Sequence, residues 1–253
     1  MTRDWDAATY DRVSTPHVEW AGALLDRLDL RGDETVLDAG CGAGKVTLML
    51  LDQLPEGRVI AVDQAPSMVA HARESLGEHA RVTVLRADLM ELELAEPVDA
   101  IFSSAVFHWI PDHDRLFARL HAALRPGGRL VAQCGGEGNV ERFHRAAREV
   151  GAQAPYAAFL AGWAGPWNFA GPELTAERLE RAGFADVETW LEPYPAIPED
   201  PANYLRTVCL GYHLEQLPEE LRDGYVAAVL ARSGAELDYV RLNITARRAG
   251  TRA

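Results

Sequence analysis

An α/β fold is predicted for this chain: a seven-stranded, mostly parallel sheet with an antiparallel last strand, helices on both faces and a helical cap. Three observations predict it. Short apolar runs alternate with amphipathic stretches through the first 135 residues, the pattern of strands buried on both sides by crossover helices. A glycine-rich turn joins the first run to the helix after it. Two further strand-like runs come late, after five alternating units, which suits a hairpin at the sheet edge.

The elements follow in order. Ala21, Leu24, Leu25 and Leu28 fall on one helical face. Residues 35–39 (Thr-Val-Leu-Asp-Ala) form the first strand, and a helix runs from Lys45 to Leu54. Residues 58–62 and 82–85 form the second and third strands, with a helix from Met68 to Leu76 between them. The fourth strand covers residues 98–103. A helix from Asp112 to Leu124 is stopped by Pro126-Gly127-Gly128, and residues 129–133 make the fifth strand. Beyond Gly135 the rhythm changes. A helix from Val140 to Val150 precedes an aromatic-rich loop carrying Tyr156, Phe159, Trp163, Trp167 and Phe169. A helix at Thr175–Ala182 leads to a strand near Asp186–Leu191, two helices occupy Pro201–Ser233, and the last strand covers Leu237–Ala246. The expected organisation is one domain over residues 1–253. Its core takes in about 21–134, 172–197 and 236–247, and its cap about 135–171 and 198–235.

Composition narrows the function. Hydrophobic residues make up 48% and charged residues 25% of 253, an ordinary globular balance. No apolar run approaches the roughly 20 residues of a membrane span. The polar, acidic start (Met1-Thr2-Arg3-Asp4) is not a signal peptide, so a cytoplasmic protein is expected. A formal net charge of −13 argues against a nucleic-acid partner, whose phosphates call for a basic face. Cys41, Cys134 and Cys209 lack disulfide or metal-ligand spacing, and no metal is expected.

The sharpest motif is Asp38-Ala39-Gly40-Cys41-Gly42-Ala43-Gly44, between strand and helix. Glycines permit a tight turn and close approach of a ligand to the backbone, and the helix that follows offers free N–H groups. A phosphate-binding P-loop fails because Val46 follows Lys45 and Ala39 stands where the first glycine is needed. The dinucleotide fingerprint fails because Lys45 occupies the place of its third glycine. An Asp-x-Gly-x-Gly-x-Gly turn fits without adjustment.

Four further segments follow in order. They are residues 61–68 (Ala-Val-Asp-Gln-Ala-Pro-Ser-Met), 86–89 (Arg-Ala-Asp-Leu), 107–112 (Phe-His-Trp-Ile-Pro-Asp) and 124–128 (Leu-Arg-Pro-Gly-Gly). With these motifs the chain resembles the class I S-adenosylmethionine-dependent methyltransferases, and within them the trans-aconitate methyltransferase-like, small-molecule group. The resemblance covers about residues 30 to 135; the last hundred residues match only in layout. It implies a Rossmann-like fold, S-adenosylmethionine as cofactor and methyl transfer to a small molecule. The leading expectation is O-methylation of a carboxylate or hydroxyl. The alternatives are N- or C-methylation of a small metabolite, or a non-catalytic S-adenosylmethionine-binding protein on the same fold. A nucleic-acid base methyltransferase would carry Asn/Asp-Pro-Pro-Tyr after the fourth strand, where this chain has Ser103-Ser104-Ala105-Val106.

The resemblance also implies site residues. Gly40, Cys41, Gly42 and Gly44 form the cofactor turn. Asp63, with Gln64 beside it, ends the second strand and accepts from the ribose hydroxyls. Ala87, Asp88 and Leu89 meet the adenine, with Met68 as a second apolar wall. Asp38 orients the cofactor's ammonium, and Ser104 and Ala105 offer it backbone carbonyls. Tyr10 folds over the cofactor. His108 is the candidate base or substrate donor, against the plainer reading of a buried histidine beside the sheet. Trp109, Trp163, Trp167 and Arg206 are candidates for the substrate pocket. Arg241, in the last strand, shares with Arg206 the possibility of clamping a carboxylate.

Overall fold

The computed structural model describes residues 15–77 and 79–250. Seven strands form one sheet: β1 (Thr35–Ala39), β2 (Arg58–Asp63), β3 (Val82–Arg86), β4 (Val98–Ser104), β5 (Leu124–Gly135), β6 (Phe184–Pro193) and β7 (Val240–Arg248). Their order is β3-β2-β1-β4-β5-β7-β6. β1 to β5 are mutually parallel, and β7 runs antiparallel to both β5 and β6. The expected sheet and its late hairpin are therefore present. Strand order reverses at β1, which has β2 on one side and β4 on the other. That reversal opens a crevice beyond the carboxyl ends of the strands, where open α/β sheets bind ligands.

The strand pleat divides the core. Successive side chains point to opposite faces, so Leu37, Ala39, Ile101, Leu130 and Ala132 join one cluster while Val36, Ala100, Phe102 and Val131 join the other. Helix α1 (Thr15–Leu25) and α2 (Lys45–Asp52) cover the second face through Ala21, Leu24, Leu25, Leu50 and Leu51. The first face is covered by α4 (His113–Ala123), through Leu116, Phe117 and Leu120, and by α7 (Pro172–Arg181), through Leu179. Leu37 is fully buried, and truncating such a residue to alanine typically costs about 2–5 kcal/mol.

Local chemistry sets the helix ends. α3 (Pro66–Leu76) starts with proline, whose fixed φ suits the first helical turn. α4 is capped by Asp112, whose side chain accepts from the Arg115 N–H at 2.9 Å. It stops at Ala123, one residue short of the sequence expectation, because Leu124 already pairs with Val98 in the sheet. The Pro126-Gly127-Gly128 segment then forms a bulge inside β5, and the ladder resumes at Ala100 and Arg129.

The remaining helices form a separate apolar cluster. It joins α5 (Glu141–Gly151), the short α6 (Ala157–Leu160) and α10 (Glu219–Ser233) through Phe143, Ala147, Leu160, Tyr225 and Val229. The expected pair of helices over residues 201–233 is instead four pieces. α8 (Pro201–Tyr204) passes into a π-helical turn (Leu205–Cys209), followed by α9 (Gly211–Gln216) and α10. Among the described residues no helix is long and apolar enough to cross a membrane.

Candidate active site

The glycine turn after β1 needs positive φ at Gly40 (87°), Gly42 (54°) and Gly44 (96°), a region open to glycine at little cost. The Gly40 and Cys41 N–H groups both donate to the Val62 carbonyl, at 2.8 and 2.9 Å, and so pin the turn to the end of β2. A Cβ on Gly40 would stand 2.2 Å from Val106 Cγ2. Gly42 differs: a Cβ there would meet no atom within 4 Å, and the residue lines a cleft of about 410 Å³.

That cleft gathers most of the residues expected for a cofactor. Gly40, Gly42, Asp63, Gln64 and Met68 line one side. Ala87, Asp88 and Leu89 line another, and Ser104 and Ala105 close it at the end of β4. Asp63 also braces the site: Oδ2 accepts from the Gly42 N–H at 3.0 Å and Oδ1 from the Ala65 N–H at 2.9 Å. Burial raises its pKa, against the opposing pull of these backbone bonds. Asp88 caps the short 3₁₀ turn after β3, accepting from the Met90 N–H at 2.9 Å. Ala105 sits at φ 61°, unusual for a residue with a Cβ, and its N–H donates to Gln133 at 2.7 Å. The chain thus turns sharply where the cleft meets β4.

Other expected residues stand elsewhere. Asp38 is 2% exposed and does not line the cleft; its Oδ2 accepts from the Thr47 hydroxyl at 2.6 Å, tying β1 to α2 beneath the turn. Burial pushes its pKa up to about 7. Gly44 and Cys41 are also behind the cleft wall: Gly44 packs toward Leu76, and burial pushes the Cys41 thiol far above its ordinary range, leaving it protonated. Tyr10 lies outside the described residues. Arg206 is corrected: it is 40% exposed and pairs with Asp223 at the surface of the helical layer. Trp163 is also absent from both cavity walls and packs edge-on against Trp167 and His213.

A second, smaller chamber of about 50 Å³ shares Ala105 and Trp109 with the main cleft. His108 and Trp167 line it, together with Asn139, His144, Phe169 and Arg241. His108 Nδ1 accepts from the Gly135 N–H at 3.2 Å. A backbone N–H can only donate, so the neutral ring carries its proton on Nε2. Two other histidines are poor bases: burial pushes His144 down to about 4 and His213 to about 3. Arg241 is 2% exposed; its Nε donates to Gln133 Oε1 at 3.3 Å, and Gln133 in turn donates to Asn243 at 2.8 Å.

Several residues around the cleft carry no signal in the sequence. Asn168 straps the aromatic segment onto the turn after β4, through its N–H to the His108 carbonyl (2.9 Å) and its side chain to Ile110 and Pro111. Pro166 and Tyr212, from the two late segments, reach the main cleft. Neither belongs to a periodic pattern or motif, so tertiary packing alone brings them there.

A glycine turn facing a reversal of strand order, with carboxylates behind β2 and β3, defines a Rossmann-like, class I methyltransferase. Residues 36–128 match the family model described as a methyltransferase domain. The chain is 34% identical over 234 residues to the trans-aconitate 2-methyltransferase of Azoarcus sp. (strain BH72), covering 88% of this chain and 87% of that one. In fold it is similar to YcgJ from Bacillus subtilis, with a TM-score of 0.65 at 14% identity over 92% of this chain and 99% of that one. It is also similar to a Haemonchus contortus phosphoethanolamine N-methyltransferase in complex with S-adenosyl-L-methionine. There the TM-score is 0.60 at 21% identity, over 91% of this chain and 52% of the other. The chain belongs to the methyltransferase family that includes the trans-aconitate 2-methyltransferases, and it is an enzyme that uses S-adenosylmethionine.

Proposed function

We propose that this enzyme methylates a carboxylate oxygen of a small molecule. The observation that carries the reading is Arg241, a buried guanidinium on the wall of the chamber that adjoins the cofactor cleft. A guanidinium matches a carboxylate through paired N–H donors. The relatives, named as methyltransferases of trans-aconitate, support an acid as acceptor.

The cleft fits S-adenosylmethionine in its acceptors and in its open space. Asp63 and Asp88 present carboxylates, Met68 and Leu89 supply apolar walls, and the side chain missing at Gly42 leaves room against the backbone. In this reading Asp63 holds the ribose, Asp88 the adenine, and Ser104 and Ala105 the ammonium. Bound S-adenosylmethionine supplies an electrophilic methyl on a sulfonium, whose leaving group needs no protonation.

The chain's own residues then position and desolvate the acceptor. A carboxylate is already ionised at neutral pH, with model values near about 4, so no base is required. His108 suits this role: its Nε2–H is a donor, and its Nδ1 is engaged with Gly135. The cap is assigned to residues of 135–171 and 198–235, with Trp167 on the substrate side and Pro166 and Tyr212 over the cofactor side.

The test is a methyl-transfer assay with radiolabelled S-adenosylmethionine across acids, phenols and amines. A methyl ester releases labelled methanol in mild alkali, whereas ethers and methylamines do not. Alkali-labile product is expected; label that survives alkali would reject the reading.

A further inference from the structure

Residues 165–169 form a fastened strap. Asn168 bonds the His108, Ile110 and Pro111 carbonyls at 2.9, 3.2 and 3.1 Å. Gly165, two residues before Trp167, has φ 77°, and a Cβ built on it would overlap Trp167 Cζ3 and Cε3. The indole therefore lies directly on the Gly165 backbone, an approach that glycine permits and a side chain would block. His144 and His213 flank the ring from two helices, with centroids 4.5 and 5.4 Å away, and Trp163 meets it edge-on at 5.7 Å. Trp167 is thus fixed on several sides, and it lines the chamber with Phe143, Phe169 and Val208. The chamber is small: at about 10–15 Å³ for each water-sized group, its space of about 50 Å³ holds roughly three to five of them.

We propose that Trp167, seated on Gly165, sets the size limit of the acceptor, which carries a compact body of roughly three to five non-hydrogen atoms beyond its reacting group. This rests on the reading that the acceptor is a small acid whose body enters the chamber. A longer or aryl body would meet a ring that cannot withdraw, because the Gly165 backbone lies against it and two histidine rings flank it. Packed interiors resist such overfilling. Trp167 meets the acceptor; Gly165 acts through the indole, as a positioning residue.

The experiment compares kcat/KM for crotonate and its bulkier phenyl analogue cinnamate, which carry the same charge. Crotylamine and cinnamylamine, and the two matching alcohols, are run in parallel. Crotonate is expected to exceed cinnamate by about tenfold or more. Trp167→Leu is expected to raise cinnamate relative to crotonate by about tenfold, and Gly165→Ala, which displaces the ring without removing it, to shift the ratio the same way. The double variant should show the shift of Trp167→Leu alone, since Gly165 acts through the ring; an additive shift would overturn that link. Should Gly165→Ala fail to fold, the Trp167→Leu ratio still decides the size limit. A preference for cinnamate in the unaltered enzyme, or a ratio unmoved by Trp167→Leu, would overturn the size limit; alkali-labile product would leave carboxylate methylation standing. Alkali-stable product, with crotylamine or crotyl alcohol ahead of its cinnamyl analogue, would overturn the carboxylate and leave the size limit standing. Inertness of all three crotyl compounds would overturn the compact body.

Discussion

His108 Nδ1 and the backbone N–H of Gly135 lie 3.2 Å apart, and this contact fixes which ring nitrogen carries the proton. Gly135 ends β5, and His108 sits in the turn after β4, so two adjacent parallel strands deliver the pair. The nitrogen that could accept a substrate proton is spent on the fold. What the ring can offer the chamber is an N–H.

His108→Ala should therefore lower kcat/KM only modestly, by about tenfold or less, as expected for loss of an orienting hydrogen bond. The rate should stay flat from about pH 6 to 8 in both proteins, since a carboxylate acceptor needs no titrating base. A loss of about a hundredfold or more, with a rise through about pH 6.5 that the variant abolishes, would instead make His108 the base.

Asp63→Ala should weaken cofactor binding by roughly tenfold to a few hundredfold, because hydrogen bonds to a charged group contribute about 1.5–3 kcal/mol each. The same change frees the Gly42 and Ala65 N–H groups, so the melting temperature should fall as well. Calorimetry with S-adenosylhomocysteine and thermal melting measure the two losses separately. An unchanged dissociation constant in a folded variant would take Asp63 out of the cofactor site.

Gly40 and Gly42 should respond differently to alanine. At Gly40 the new Cβ strikes Val106 in a left-handed backbone, so the folded state itself suffers. At Gly42, also left-handed, it enters open space beside the cleft, so the fold loses only the backbone strain and cofactor affinity should drop more than stability. Melting temperature and dissociation constant, measured on both variants, read this contrast. Equal loss of stability in the two would count against it.

Asp38 links stability to pH. Its folded pKa, about 7, stands above the ordinary 3.8 because burial disfavours the charged form. The protonated folded state is thus favoured: the contribution is complete below about pH 4 and is lost as pH rises through about 7. Asp38→Asn keeps a neutral acceptor for Thr47. Without cofactor it should gain stability relative to the unaltered protein as pH rises from about 5 to 8, by chemical denaturation at each pH. A constant difference across that range would show that Asp38 does not titrate there.

Much of the cleft lining was legible because strand–turn–helix chemistry is local. The Gly40–Gly44 turn, Asp63 and Asp88 each follow a strand end, and the parallel sheet brings strand ends together. Asp38 shows the limit of that logic. It lies in the same motif, yet the pleat turns it beneath the turn toward Thr47, out of the cleft. The two candidate arginines separate for a similar reason. Arg206 lies on a helical segment whose outward face meets Asp223, while Arg241 lies in β7, covered on both faces and aimed into the chamber.

The sequence by itself determined the sheet, its late hairpin, the glycine turn and the class of cofactor. Each depends on periodicity or on residue types that only one backbone geometry suits. Tertiary structure decided what closes over the cleft and its side chamber: the strap from Asn168, the approach of Tyr212 and Pro166 to the cleft, and the tautomer of His108. These contacts join residues far apart in the chain, held by a packing of helices that no local pattern encodes.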